Sequence, residues 1–192
     1  MFPASTAASL VQVRDRIARA ADRVGRDPAQ ITLVAVTKQA TDDQVSAILD
    51  LGVTDLGENR LAGLESRRER FPDATLHMIG HLQRNKARRA FFAADMFHAM
   101  DRPALARWSS GCADPIPPFF LQVNLSGEAA KGGVDPLDVE ALVAAVAPLR
   151  AEGLMTMARN SPEPEASRSV FRALSEMSQD LRQGGCPLGA AL

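Results

Sequence analysis

The sequence predicts an α/β protein built on a parallel sheet. Apolar runs of strand length alternate with amphipathic runs of helix length along the whole chain of 192 residues. The first run, Ile31 to Val36, is too apolar for a surface strand and reads as a central parallel strand covered on both faces. The runs also end on polar residues, at Lys38, at Glu58 and Asn59, at Gly80, His81 and Gln83, and at Asn124 and Ser126. Right-handed crossovers between such strands leave two architectures, an open doubly wound sheet or a (β/α)8 barrel. No Gly-x-Gly-x-x-Gly follows the first strand, which argues against a dinucleotide fold.

The elements follow in order. Thr6 to Arg26 places Leu10, Val13, Ile17, Ala21 and Val24 at helical spacing. The first strand ends at Lys38. Thr41 caps the next helix, with Asp42 and Asp43 in its first turn and Gly52 past its end. Asp55 to Asn59 is a short strand with its exit, and Leu61 to Arg70 is a helix closed by Pro72. Thr75 to His81 is the third strand, Arg84 to Ala94 a basic helix, and Met96 to Asp101 the fourth strand. A helix starts at Pro103 and runs to Ser109. Gly111 to Pro118, with three prolines, a glycine and an aspartate, reads as the least ordered stretch. Phe119 to Leu125 is the fifth strand, Asp135 to Leu149 a helix, Gly153 to Met157 the sixth strand and Glu163 to Arg182 a long helix. That makes six strands, in one domain spanning residues 1–192.

Composition narrows the function classes. A net charge of -1 implies no global pull toward nucleic acid or membrane. Cys112 and Cys186 lie far apart and in no metal or redox spacing. The sequence opens on no basic region followed by a continuous apolar stretch, so no signal peptide is expected, and it has no apolar run of membrane-span length. A cytoplasmic protein is expected, with neither nucleic acid nor membrane as partner.

The strand tips are the candidate site. On a barrel they share the C-terminal rim, where ligands bind. A lysine at the tip of a buried strand can be partly desolvated, which leaves some of its amine neutral and nucleophilic. The alternative is that Lys38 only marks the strand's exit into water. His81 is an acid–base candidate or a backbone cap, and lone histidines are more often structural. His77 and His98 fall within strands and are expected to face helices or solvent. No His, Cys or carboxylate cluster has zinc spacing, so no metal is assigned. Nothing marks Ser126 as a nucleophile. Arg84, Lys86, Arg88 and Arg89 read as a solvated helix face, without interleaved aromatics. Met155 and Met157 read as core packing.

Five ordered motifs carry a resemblance. They are Leu33-Val34-Ala35-Val36-Thr37-Lys38; Gly57-Glu58-Asn59; His77-Met78-Ile79-Gly80-His81-Leu82-Gln83 with Asn85-Lys86; Gln122-Val123-Asn124-Leu125-Ser126-Gly127-Glu128 with Lys131; and Gly153-Leu154-Met155-Thr156-Met157. The chain resembles the pyridoxal-phosphate homeostasis proteins, single-domain relatives of the N-terminal barrel of alanine racemase. The resemblance implies a (β/α)8 TIM-type barrel. It implies that Lys38 forms an imine with pyridoxal 5'-phosphate, that Asn59 sits beside the cofactor ring, and that the loop carrying Gly80 and His81 lines the site. It also implies a role in binding, buffering or delivering that cofactor, without a defined turnover reaction or assigned catalytic residue. Apo-enzymes that use the cofactor are the possible protein partners.

Two departures qualify this. Family members usually carry a tyrosine after Gly-Glu-Asn, where this chain has Arg60, and it has no tyrosine at all. Two-base racemisation of the alanine racemase type is therefore not expected, and an amino-acid racemase or lyase is the competing reading. The chain also stops at Gly189-Ala190-Ala191-Leu192, where the family's seventh strand begins. The family's phosphate-holding segments come later, and a complete barrel takes about 250 residues. The expectation is an incomplete barrel lacking the last two strand–helix units. It would be a truncated product, a degenerate fragment that binds nothing, or a chain completed by a partner.

Overall fold

A computed structural model describes residues 4–111, 115–128, 131–161 and 163–191. Cys112 and the middle of the Gly111–Pro118 stretch lie outside the described residues.

Strand and helix alternate throughout. Helix α1 (Ala4–Asp22) precedes β1 (Ala35–Val36). Then come α2 (Asp42–Asp50), β2 (Asp55–Glu58), α3 (Leu61–Arg70), β3 (Thr75–Met78), α4 (Ala87–Ala93) and β4 (Met96–Met100). The series continues with α5 (Pro103–Ser110), β5 (Phe119–Gln122), α6 (Val139–Val146), β6 (Ala151–Met155), α7 (Arg168–Gln183) and β7 (Leu188–Ala191). The cap signal at Thr41 is realised as a full capping box. The Thr41 hydroxyl accepts from the Gln44 amide at 3.3 Å, and the Gln44 side chain accepts from the Thr41 amide at 2.9 Å. The basic segment predicted as one helix divides into a 3-10 turn at Arg84–Lys86 and then α4.

All strand pairs are parallel, and the sheet runs in chain order from β1 to β7. The core forms where α3 to α6 lie on the sheet. Leu64, Leu105 and Leu142 on the helices are fully buried, as are Leu56, Leu76, Phe97 and Leu121 on the strands.

Two expectations about the strands are corrected. Among the described residues there are seven strands, not the six counted, the seventh lying where the resemblance has it begin. The run Leu188-Gly189-Ala190-Ala191 has no β-branched or aromatic residue, so its pattern carries no strand signal. It is a strand because it pairs with β6, Ala151 opposite Leu188 and Gly153 opposite Ala191. The first strand is not central. Among the described residues β1 pairs only with β2, it shrinks to two residues, and Val36 is 52% exposed. Among the described residues β1 is an edge strand, and the face that carries Val36 is left largely uncovered.

Candidate functional site

A parallel sheet in chain order brings the C-terminal strand tips to one rim. Lys38 follows β1 by two residues. The Thr37 amide donates to the Gly57 carbonyl at 2.9 Å, the last rung of that ladder, and the Ala40 amide turns back onto the Thr37 carbonyl at 3.0 Å. Thr37 is 4% exposed, but Lys38 itself is exposed. Of the two readings of Lys38, a partly desolvated amine or a residue at the strand's exit into water, the exposed position on edge strand β1 agrees with the second.

A charged network lies beneath this tip. Glu58, at the end of β2, points inward and is 3% exposed. One of its oxygens, Oε1, accepts from the Thr37 hydroxyl at 2.7 Å and from Arg67 Nε at 3.4 Å. Arg67, on α3 and 8% exposed, donates through Nη2 to the Ala40 carbonyl at 2.6 Å and the Thr37 carbonyl at 3.3 Å. Its Nη1 reaches Asp42 Oδ1 at 2.5 Å. Arg67 was not a sequence candidate. A signal for it exists, since it continues the stripe Leu61, Leu64, Arg67, Phe71, and a charge on an apolar stripe needs a partner.

The β2 and β3 exits meet tightly. Gly80 packs against the backbone of Asn59, with no room for a side chain between them. Asn59 is half-buried and His81 exposed. His81 Nδ1 lies 2.5 Å from Asp101 Oδ2, and Asp101, just past β4, is buried. The carboxylate favours the proton on Nδ1, and Arg102 Nη1 lies against the ring, 3.2 Å from Nδ1 and 3.0 Å from Nε2. Arg102 also donates to Asp101 Oδ1 at 2.5 Å and to the Leu82 carbonyl. His81 is thus tethered by the side chains of Asp101 and Arg102, a different arrangement from the backbone cap read from sequence. Asp101 was missed as a polar tip, although it ends an apolar run as Lys38 does.

The structure brings Asn59 and His81 together, with Lys38 on the adjacent β1 tip. Asn59 and His81 line a cavity of about 560 Å³ with Arg60, Gln83 and Lys86, and Lys38 is not in its lining. The β5 tip polar groups serve the following loop instead. Asn124 Nδ2 donates to the Glu128 carbonyl at 3.0 Å, and the Ser126 hydroxyl to Asn124 Oδ1 at 3.0 Å. Lys131 donates to the Ala158 carbonyl at 2.6 Å and pairs with Glu128 at 3.0 Å.

Farther down the strands is a second cluster. His77 Nε2 lies 3.0 Å from Asp55 Oδ1, and His77 Nδ1 lies 2.8 Å from His98 Nε2. The two rings meet edge to face at 5.0 Å, and His98 meets Phe120 likewise at 4.9 Å. Burial, with His77 beside it, lowers the His98 pKa to about 4. As expected of side chains that face helices or solvent, both line a partly open cavity of about 730 Å³ that Phe171 and Leu174 of α7 also line. Met157 is not core but 41% exposed. The basic face is solvated as read, with Arg84, Lys86, Arg88 and Arg89 exposed and Arg89 bonded to Glu65 at 2.7 and 2.9 Å. Among the described residues, no group of three or more His, Cys, Asp or Glu is placed to hold a metal, and no helix is long and apolar enough to cross a membrane.

Comparison with known proteins gives a consistent set of likenesses. Residues 9–190 match the family model of the alanine racemase N-terminal domain. The pyridoxal phosphate homeostasis protein of Pseudomonas aeruginosa is 37% identical over 186 residues, covering 93% of this chain and 81% of that one. Its counterpart in Escherichia coli K12 is 35% identical over 169 residues, covering 82% and 70%. Among solved structures, PipY of Synechococcus elongatus with PLP bound superposes with a TM-score of 0.71 at 27% identity, covering 90% and 84%. Alanine racemase from Corynebacterium glutamicum shares the fold at a TM-score of 0.63 and 20% identity, covering 82% of this chain and 48% of that one.

Proposed function

The chain belongs to the alanine racemase N-terminal domain family and, within it, to the pyridoxal phosphate homeostasis proteins, and from that premise we propose that it holds and releases pyridoxal 5'-phosphate through Lys38. The observation that carries the reading is the Lys38 tip itself. An exposed primary amine stands on a loop whose backbone is fixed by buried groups. An amine can add to an aldehyde carbon and lose water, and the link reverses when water returns. When bound, the cofactor supplies that aldehyde and a conjugated, electron-withdrawing ring. The half-buried Asn59 amide, on the neighbouring tip, is assigned the ring side, with the Gly80–His81 exit bounding the site.

The carrier reading is favoured over a racemase or lyase by the state of the rim. A turnover reaction at the substrate α-carbon needs a free acid–base group. His81 is held between the Asp101 carboxylate and the Arg102 guanidinium.

The test is a visible-absorbance titration with pyridoxal 5'-phosphate, followed by borohydride reduction and peptide mapping. A saturable band, with the reduced adduct at Lys38 and lost in Lys38→Ala, is the expected result. Adducts spread over many surface lysines would overturn the reading.

A further inference from the structure

We propose that Arg67 is the positioning residue for Lys38. This rests on the reading that Lys38 carries the covalent link. Lys38 sits beyond the last rung of a two-residue edge strand, so the sheet alone does little to hold it. The guanidinium of Arg67 reaches the residues on both sides. It binds the carbonyls of Thr37 and Ala40 with one nitrogen, and with the other it binds Asp42, the first residue of α2. Glu58 completes the arrangement, holding Arg67 Nε and the Thr37 hydroxyl on one oxygen. Residues 37–42 are thus closed by a single side chain from α3, which also lies 6.0 Å from the Phe71 ring centroid.

A buried ion pair is a weak source of net stability, because desolvation offsets most of its Coulomb gain. Its geometry, however, is directional. A guanidinium presents five donors in a fixed fork, which an ammonium cannot imitate. Holding a nucleophile in one place raises the fraction of encounters that lead to reaction. The Glu58–Arg67 pair therefore has placement of the Lys38 backbone as its main effect.

The test uses Arg67→Lys, Arg67→Gln and the double variant Glu58→Gln/Arg67→Gln, which leaves no unpaired buried charge. Three quantities are read: melting temperature, amide hydrogen exchange across residues 37–42 without cofactor, and the rate of pyridoxal 5'-phosphate uptake at Lys38, with trapped adducts mapped. In the double variant the expected result is a near-wild-type melting temperature, with exchange faster and uptake slower by about tenfold or more. Arg67→Lys is expected to rescue neither. Wild-type exchange and uptake in the folded double variant would overturn the proposal. A wild-type protein with no adduct at Lys38 would instead overturn the binding reading, and the exchange measurement would then still decide whether Arg67 fixes the loop.

Discussion

Gly80 and Asn59 touch backbone to backbone: a Cβ built at position 80 would overlap the carbonyl oxygen of Asn59. The obstacle is main chain, so no side-chain rotation relieves it. Gly80→Ala is expected to cost about 1–3 kcal/mol, the usual price of overpacking, and to lower the melting temperature by several degrees. It should also push Asn59 away from the His81 exit, slowing cofactor uptake while leaving the adduct at Lys38. An Ala variant that melts with the wild type would show that the two tips separate easily.

The buried carboxylate of Asp101 decides where the proton of His81 resides. With Oδ2 at 2.5 Å from Nδ1, the neutral ring is expected in its Nδ1–H form, the less common tautomer in water. Imidazole nitrogen chemical shifts report the tautomer directly. Asp101→Asn should release both His81 and Arg102, at a cost of about 1–3 kcal/mol in thermal stability. Observation of the Nε2–H tautomer in the wild type would contradict this arrangement.

His98 gives the protein an acid-sensitive element. Its pKa is lowered to about 4 in the fold, against about 6.5 in the unfolded chain. Between those values the unfolded chain binds more protons. The contribution of His98 is therefore fully present above about pH 6.5, is lost as pH falls toward 4, and changes no further below that. The loss is on the order of 3 kcal/mol. Urea unfolding from pH 7 to pH 4 should show this decline in the wild type and a flatter profile in His98→Gln. Parallel profiles would rule it out.

Gly133 is bound by both conformation and space. Its φ is +98°, and a Cβ there would lie 2.7 Å from the Asn124 amide nitrogen. In the same strip the Asn124 amide donates to the Val134 carbonyl and the Val134 amide to the Gln122 carbonyl, both at 2.9 Å. Gly133→Ala should cost about 1–3 kcal/mol and speed exchange of the Asn124 and Val134 amides. Unchanged exchange would mean that the loop accommodates the methyl group by moving alone.

The helices and inner strands were legible because their signals are local. Thr41 with Gln44, Pro103 at a first turn and the apolar runs at Leu76, Phe97 and Leu121 all depend on residues close in sequence. The missing information was about neighbours. Nothing in Leu188 to Ala191 marks a strand until β6 lies beside it, and nothing in Ile31 to Val36 reveals that one flank is open. The tips were found by the rule that apolar runs end on polar groups, which located Lys38, Asn59 and His81. The same rule could not tell an exposed tip from one turned inward. Glu58 and Asp101 are buried because Arg67 and Arg102 reach them, and those arginines come from segments whose charges look like ordinary surface.

Because, among the described residues, each strand pairs with its neighbours in chain order, position around the rim is a monotonic function of residue number. Lys38, Asn59, His81, Asp101 and Asn124 occupy successive stations, like hours on a dial, each separated in sequence from the next by a helix. An insertion within α2 or α5 lengthens the path between stations without changing their sequence around the arc. A substitution at one tip is felt first by the stations on either side. Chemistry at this mouth can therefore be redrawn one sector at a time, with the angle between any two groups set by the strands that separate them.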